Sequence, residues 1–506
     1  MLQSHLVPDK LKSILIGIDG ACWELLMPWI RDERLPFLSG VYRKSRSGTL
    51  MSTVPSATCP ALPSMYTGMN PGNLGIMSYM KGTEAVTMKD VEYPKLWDYL
   101  DDQGLSSVIY NVRFTYPPDK MDGVMVSGNP VPSEESPYIY PEIMKKRLGG
   151  IQRDEILLDR LLEDKKKNEP LILDKAKEIT RRRYEKLLSV SLSKTDFLFY
   201  YIGNSDLVQH ALWHRKKMIL EFYRVVDDIL KDLFERFPDI PKIIFSDHGF
   251  HKSAEYKFHV NHLLFKRGYL KREGNWLSQR FMNIGQMIAR DFVSPKTLIK
   301  KMESGSVSIV GRFDNFPGID QDDSKAWLSE PWGIRCDQEI VDEVISDLKK
   351  VRWKGEKIVK SVWRKEEVFQ GKYLKDIPEV IFMTEPKFHT EAQLSSRMIS
   401  KLRWNSKRKH PGEHTNAREG IYMVTPGEGK GVTMNIYDTL PLMLYLMDIP
   451  IPEGIDGGLD DSFIREREPR YERYRFAEKS SETEDLSEEE QEKVKDRLRA
   501  LGYLDQ

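Results

Sequence analysis

An α/β architecture, with a mainly parallel central sheet flanked by helices and smaller inserted subdomains, follows from how the apolar residues are grouped. Short, continuously apolar runs bounded by turn signals recur, as in SILIGI, SVIYNV, DFLFYYI and KIIFS. Runs without alternation suit strands buried on both faces. Between them lie stretches with apolar residues at helical spacing, such as KMILEFYRVVDDILKDLFERF from Lys217 to Phe237, and strand–helix alternation is the mark of a parallel sheet. Ligands of open α/β sheets bind beyond the carboxyl ends of the strands. Those ends are where the chemistry is sought.

The chain of 506 residues has the length for two or more domains. The α/β core is assigned to residues 1–267, with a small Pro- and charge-rich insertion at about 120–170, and resumes at 401–464. Residues 268–400 form an inserted elaboration, with a helical DQEIVDEVISDLKKV and a strand-like EVIFM. Residues 465–506 are a charged tail ending in a docked helix: SEEEQEKVKDRLRALG places Ser487 and Glu490 at capping-box spacing, Val494, Leu498 and Leu501 on one face, and Gly502 as a stop.

Lysine plus arginine equals aspartate plus glutamate at 77 each, so no global field attracts nucleic acid or anionic membrane. A basic stripe with interleaved aromatics is also missing, which argues against a nucleic-acid module. No segment reaches the roughly 20 apolar residues of a spanning helix. Cys22, Cys59 and Cys336 are odd in number and far apart, which fits a reducing compartment. The expectation is a cytoplasmic protein without a transmembrane segment; the oligomeric state stays open.

Followed to their ends, the predicted strands converge on acids. SILIGI ends on Asp19, DFLFYYI runs through GNS to Asp206, and KIIFS ends on Asp247 and His248. Asp206 and His210 are four apart, so a helix starting at Asn204 or Ser205 puts both on one face. His414 precedes the apolar run of GEHTNAREGIYMV. Each group alone is more often a cap or a solvated turn. Together, clustered carboxylates repel unless a cation neutralises them, and Asp with His suits zinc or manganese better than calcium. Six such ligands suffice for two divalent ions. Thr58, after the turn VPSA, is either a plain N-cap or, beside a metal, a nucleophile. Cys59 reads as a small buried hydrophobe, and His5, His389 and His410 read as surface. His251, His259 and His262 lie near the Asp-His pair, but no ligand spacing selects them.

IGIDG, STVPSATCPALPSMYTGMNPG, SDLVQH, SDHGF and GEHTNAREGIYMV, in that order, resemble the alkaline phosphatase superfamily. Within it the chain is most similar to the type I phosphodiesterase and nucleotide pyrophosphatase family, in its soluble archaeal and bacterial form. TYPPDKMDGVMVSG, WRKEEVFQGKYLKDIPEVIF, MLYLMDIPIPEGIDG and RLRALGYL extend the resemblance over nearly the whole chain. It implies an alkaline phosphatase-like fold and a hydrolase of phosphoric esters with small-molecule substrates. It implies one metal on Asp206, His210 and His414, and another on Asp19, Asp247 and His248 with the Thr58 oxygen. Thr58 would then attack phosphorus to form a phosphothreonine. Where eukaryotic-type relatives usually carry an asparagine on a phosphoryl oxygen, counting from Thr58 reaches Tyr79, a candidate substrate contact. The alternatives on the same framework are a phosphomonoesterase, a phosphomutase or phosphotransferase, and a sulfatase. The last is disfavoured because Thr58 cannot become formylglycine and Cys59 lacks the Cys-x-Pro-x-Arg context. A non-catalytic metal- or phosphate-binding protein is the alternative of a different class.

Overall fold

The computed structural model describes residues 10–272, 319–402, 410–464, 467–476 and 486–501. The 273–318 part of the elaboration, His5 and the stop expected at Gly502 lie outside them. The chain divides into two compact units, one of residues 1–252 with 410–506 and the other of 253–409.

The first unit is built on nine strands: β1 (Ser13–Ile18), β2 (Arg46–Met51), β3 (Ser107–Val112), β4 (Gly123–Ser127), β5 (Ile139–Tyr140), β6 (Phe197–Ile202), β7 (Lys242–Phe245), β8 (Glu419–Thr425) and β9 (Lys430–Asn435). Their order across the sheet is β9-β2-β8-β7-β1-β6-β3-β4-β5. The central run β7-β1-β6-β3-β4 is parallel. β8 runs antiparallel to both β7 and β2, and β5 runs antiparallel to β4. Every residue of β1, β3, β6 and β7 is buried, which is why these segments read as unbroken apolar runs. The helix Lys216–Arg236 buries Ile219, Phe222, Tyr223, Val226, Ile229, Leu230 and Leu233 against this sheet's core, at the period of one helical face.

Register sets the level of the strand ends. Gly17 of β1 lies opposite Tyr201 of β6 and Phe245 of β7, so the residues that follow the three strands emerge side by side. Gly17 is required by close approach: a Cβ there would stand 2.2 Å from the Tyr201 ring. Gly17→Ala is therefore expected to destabilise the unit by about 1–3 kcal/mol, as overpacked cores do. Urea unfolding would read the loss, and an unchanged midpoint would show that the ring yields freely.

The last described helix, Glu488–Leu501, begins with the expected box: Ser487 Oγ and the Glu490 backbone N–H are 3.3 Å apart, and Glu490 Oε2 accepts from the Ser487 N–H at 3.2 Å. Val494 and Leu498 are buried. From the same helix, Arg497 donates to the Val131 carbonyl, Gln152 and Asp159.

The second unit has its own apolar core. A four-stranded antiparallel sheet runs in the order Ala326–Glu330, Gly333–Cys336, Val380–Thr384, Val359–Arg364. The helix Val341–Lys350 covers it with Val341, Val344, Ile345 and Leu348. A three-stranded sheet of Tyr256–His259, Phe388–Glu391 and Ile399–Lys401 completes the unit. No helix among the described residues is long and apolar enough to cross a membrane.

Candidate metal centre

Three parallel strand ends build the floor of the site. Asp19 follows β1 directly, and its backbone N–H donates to the Ile202 carbonyl at 3.2 Å. Gly20 then takes φ +65°, a left-handed conformation that glycine adopts without strain. That turn aims the Gly20 N–H at Asp247 Oδ1, 3.2 Å away beyond β7. Past β6 the chain enters the helix Asn204–Leu212, whose Ser205 hydroxyl donates to the Asp19 carbonyl at 2.8 Å. Asp206 and His210, one helical turn apart, bring Oδ1 and Nε2 to 3.4 Å.

The remaining pieces come from the antiparallel side. His414 precedes β8, and the helix Thr58–Thr67 follows β2. These two are clasped: Ser56 Oγ donates to the His414 carbonyl and His414 Nδ1 to the Ser56 carbonyl, both at 2.9 Å. Ala57, not Thr58, is the N-cap residue, and no side chain caps the helix. Freed from capping, Thr58 Oγ1 lies 3.2 Å from His248 Nε2.

The six candidate ligands gather as two triads. Asp206, His210 and His414 form one, and Asp19, Asp247 and His248 the other; within each, one donor atom per residue lies within 4.8 Å of the others, and all six side chains are buried. The triads adjoin, since the His248 and His414 rings stack at 4.1 Å and the His210 ring meets His414 edge-on at 5.1 Å.

This donor set fits divalent cations. His210, His248 and His414 each place Nδ1 2.9 Å from a backbone carbonyl, of Gly412, Gly249 and Ser56 respectively. A carbonyl only accepts, so Nδ1 carries the proton and Nε2 presents its lone pair, the arrangement that backbone-oriented metal ligands adopt. Asp19 Oδ1 and Asp247 Oδ2 are buried and accept no hydrogen bond, a costly state that a cation relieves.

Electrostatics follow the same division. Burial, then the charge of Asp247, push the Asp19 carboxyl well above the usual range. Burial would raise Asp206 too, but His210 and His414 outweigh it and hold that carboxyl low. Burial lowers His210, and burial with His248 lowers His414 further. Tyr79 packs its ring 5.5 Å from Phe114, and burial followed by the neighbouring thiol and acids keeps its phenol protonated. Cys59 is fully buried, donates to the Ser78 carbonyl, and has its thiol pushed up by burial.

Other histidines fall elsewhere. His251 places its two ring nitrogens on the Lys252 and Thr415 carbonyls. His259 and His262 belong to the second unit and bond the Gln393 and Ser395 carbonyls. His410, expected at the surface, instead lies edge-on to His210 at 5.1 Å. Two cations were also not singled out. Arg113, just past β3, sets its Nε 3.0 Å from Asp19 Oδ2 and donates to the Gly203 carbonyl; the strand-end rule that selected the acids would have found it. Lys165 sits in a triple-lysine run that looks like a solvated helix face, and no signal marks it.

The fold is similar to that of phosphonoacetate hydrolase from Sinorhizobium meliloti 1021 in complex with phosphonoformate, at a TM-score of 0.53 and 15% identity over 87% of this chain and 96% of that one. Human ectonucleotide pyrophosphatase / phosphodiesterase 5 matches at a TM-score of 0.49 and 15% identity over 88% and 97%. No curated protein matches the sequence. The family model for type I phosphodiesterase / nucleotide pyrophosphatase matches residues 13–415, a span that takes in both triads and Thr58. The chain has an alkaline phosphatase-like fold and belongs to the type I phosphodiesterase / nucleotide pyrophosphatase family, as an enzyme that hydrolyses phosphoric ester bonds.

Proposed function

We propose that this enzyme is a two-metal phosphodiesterase or pyrophosphatase that works through a phosphothreonine at Thr58. The observation that carries the reading is the position of Thr58 Oγ1, uncommitted to capping and 3.2 Å from His248 at the junction of two buried triads. Asp206, His210 and His414 would hold one divalent ion, and Asp19, Asp247 and His248 with the Thr58 oxygen the other, zinc or manganese by the nitrogen and oxygen donors. Such ions supply Lewis-acid stabilisation of the charge on the attacking and departing oxygens.

The chain's own groups do the rest. Thr58 Oγ1 gives up its proton to solvent and bonds to phosphorus while the in-line P–O bond to the leaving group breaks, its electron pair going to the departing oxygen, and a phosphothreonine results. Water then attacks from the vacated side, releasing the phosphomonoester and restoring the threonine. The helix that begins at Thr58 turns its positive end toward the phosphoryl oxygens. Tyr79, kept as a neutral phenol, is a hydrogen-bond donor for a nonbridging oxygen. Because the triads are preformed and buried, positioning and electrostatics account for most of the acceleration. The cytoplasm is the site of action in this reading, which the three buried free thiols support.

Side-by-side turnover separates this from its neighbours. With zinc or manganese present, bis(p-nitrophenyl) phosphate should be cleaved at least about tenfold more efficiently than p-nitrophenyl phosphate, a difference of roughly 1.4 kcal/mol. A preference for the monoester would move the enzyme to the phosphomonoesterases.

A further inference from the structure

Lys165 opens the helix Lys165–Leu188 in a run of three lysines, with no acidic residue in the first turn. A helix start favours anions, so this one concentrates like charge. Lys166 and Lys167 are exposed, but Lys165 is only 7% exposed. Its ammonium donates to His410 Nε2 at 2.8 Å, and an imidazole brings no negative charge in either protonation state. Among the described residues no carboxylate is paired with it. The acid one turn on, Glu169, is already taken by His214 at 2.9 Å and Arg215 at 3.0 Å. Burial pushes Lys165 down to about 7. A buried cation in that state gains from any anion that reaches it.

Its location gives that anion a role. His410 packs its ring against His210, which belongs to the triad of Asp206 and His414. This inference rests on the function proposed above: Thr58, the attacking group, lies against His248 of the other triad, so the triad of His210 is the one that would serve the departing oxygen. We propose that Lys165 and His410 form a subsite for a second anionic group on the departing part of the substrate. The substrates it selects are diesters and pyrophosphates whose leaving group itself carries a phosphate or a carboxylate. Lys165 donates to that group, and His410 holds the ammonium in place beside it.

The test compares two probes on the metal-loaded enzyme. Bis(p-nitrophenyl) phosphate releases a leaving group with no second anion, whereas symmetric bis(p-nitrophenyl) diphosphate releases p-nitrophenyl phosphate. Lys165→Met should lower kcat/KM for the diphosphate roughly 30-fold or more, the loss expected when one partner of a buried charge pair is removed. The diester should change by less than about threefold, and inorganic pyrophosphate should inhibit diester turnover correspondingly less well. Equal losses on both probes, or none on the diphosphate, would overturn the subsite. If the variant does not fold, the unaltered enzyme decides: inorganic pyrophosphate must inhibit diester turnover far better than the uncharged-tailed product p-nitrophenol, and equal inhibition overturns the proposal. Failure of the unaltered enzyme to cleave either probe would instead strike the two-metal hydrolase reading.

Discussion

Thr58→Ala should abolish turnover of bis(p-nitrophenyl) phosphate and p-nitrophenyl phosphate alike, by roughly a thousandfold or more, because without Oγ1 no covalent intermediate forms. The fold should survive. Thr58 is buried but caps nothing, and an alanine at the start of a helix costs little. The six Asp and His side chains proposed as ligands remain, so the variant should still bind metal, measured by elemental analysis after dialysis. Thr58→Ser offers the complementary reading: a hydroxyl at the same place should keep a measurable fraction of the activity and trap a phosphoserine on acid quench. Activity within tenfold of the unaltered enzyme in Thr58→Ala would show that water attacks directly.

Removing the metals should have the other large effect, on rate and on stability together. Chelation by dialysis should eliminate turnover, and zinc or manganese should restore it. A ligand present at a thousand times its dissociation constant adds about 4 kcal/mol to the native state, so the metal-free protein should melt several degrees lower. The pH dependence has a definite sign. Burial and Asp247 hold the Asp19 carboxyl above its usual range, so in the metal-free protein it retains a proton that an ion must displace. Metal affinity should therefore climb as pH rises through that range and level off once Asp19 is ionised. His210 and His414 are lowered by burial, so any protons they give up on binding an ion are released at lower pH than an ordinary imidazole's. Titration calorimetry in buffers of different ionisation enthalpy would count the protons; no proton release in weak acid would contradict this account of Asp19.

The sheet was legible because its central strands are buried on both faces and so spell unbroken apolar runs, and the acids at their ends were legible because loops after such strands carry little besides turn chemistry. β4 was not: Gly123–Ser127 is only half buried at its start and stands between prolines, so its apolar content is diluted. β8 could be seen as a strand but not as one inserted antiparallel between β7 and β2, since pairing partners far apart in sequence leave no local trace. Which side chains meet was harder still. The capping reading of Thr58 and the nucleophile reading share one local pattern; the structure makes Ala57 the N-cap and brings Thr58 Oγ1 to 3.2 Å from His248 Nε2. Lys165 and His410 illustrate the limit, because burial of a lysine in a lysine run depends on what packs over it from 245 residues away.

The Ser56–His414 clasp joins positions 358 residues apart. A growing chain on the ribosome can fold β1, β3 and β6 early, yet it carries a threonine with no second triad to serve until the segment after residue 410 has emerged. On the reading proposed above, synthesis would time the onset of reactivity: a nascent polypeptide that stops short of His414 would be an inert scaffold, and hydrolytic power would arrive in one late step.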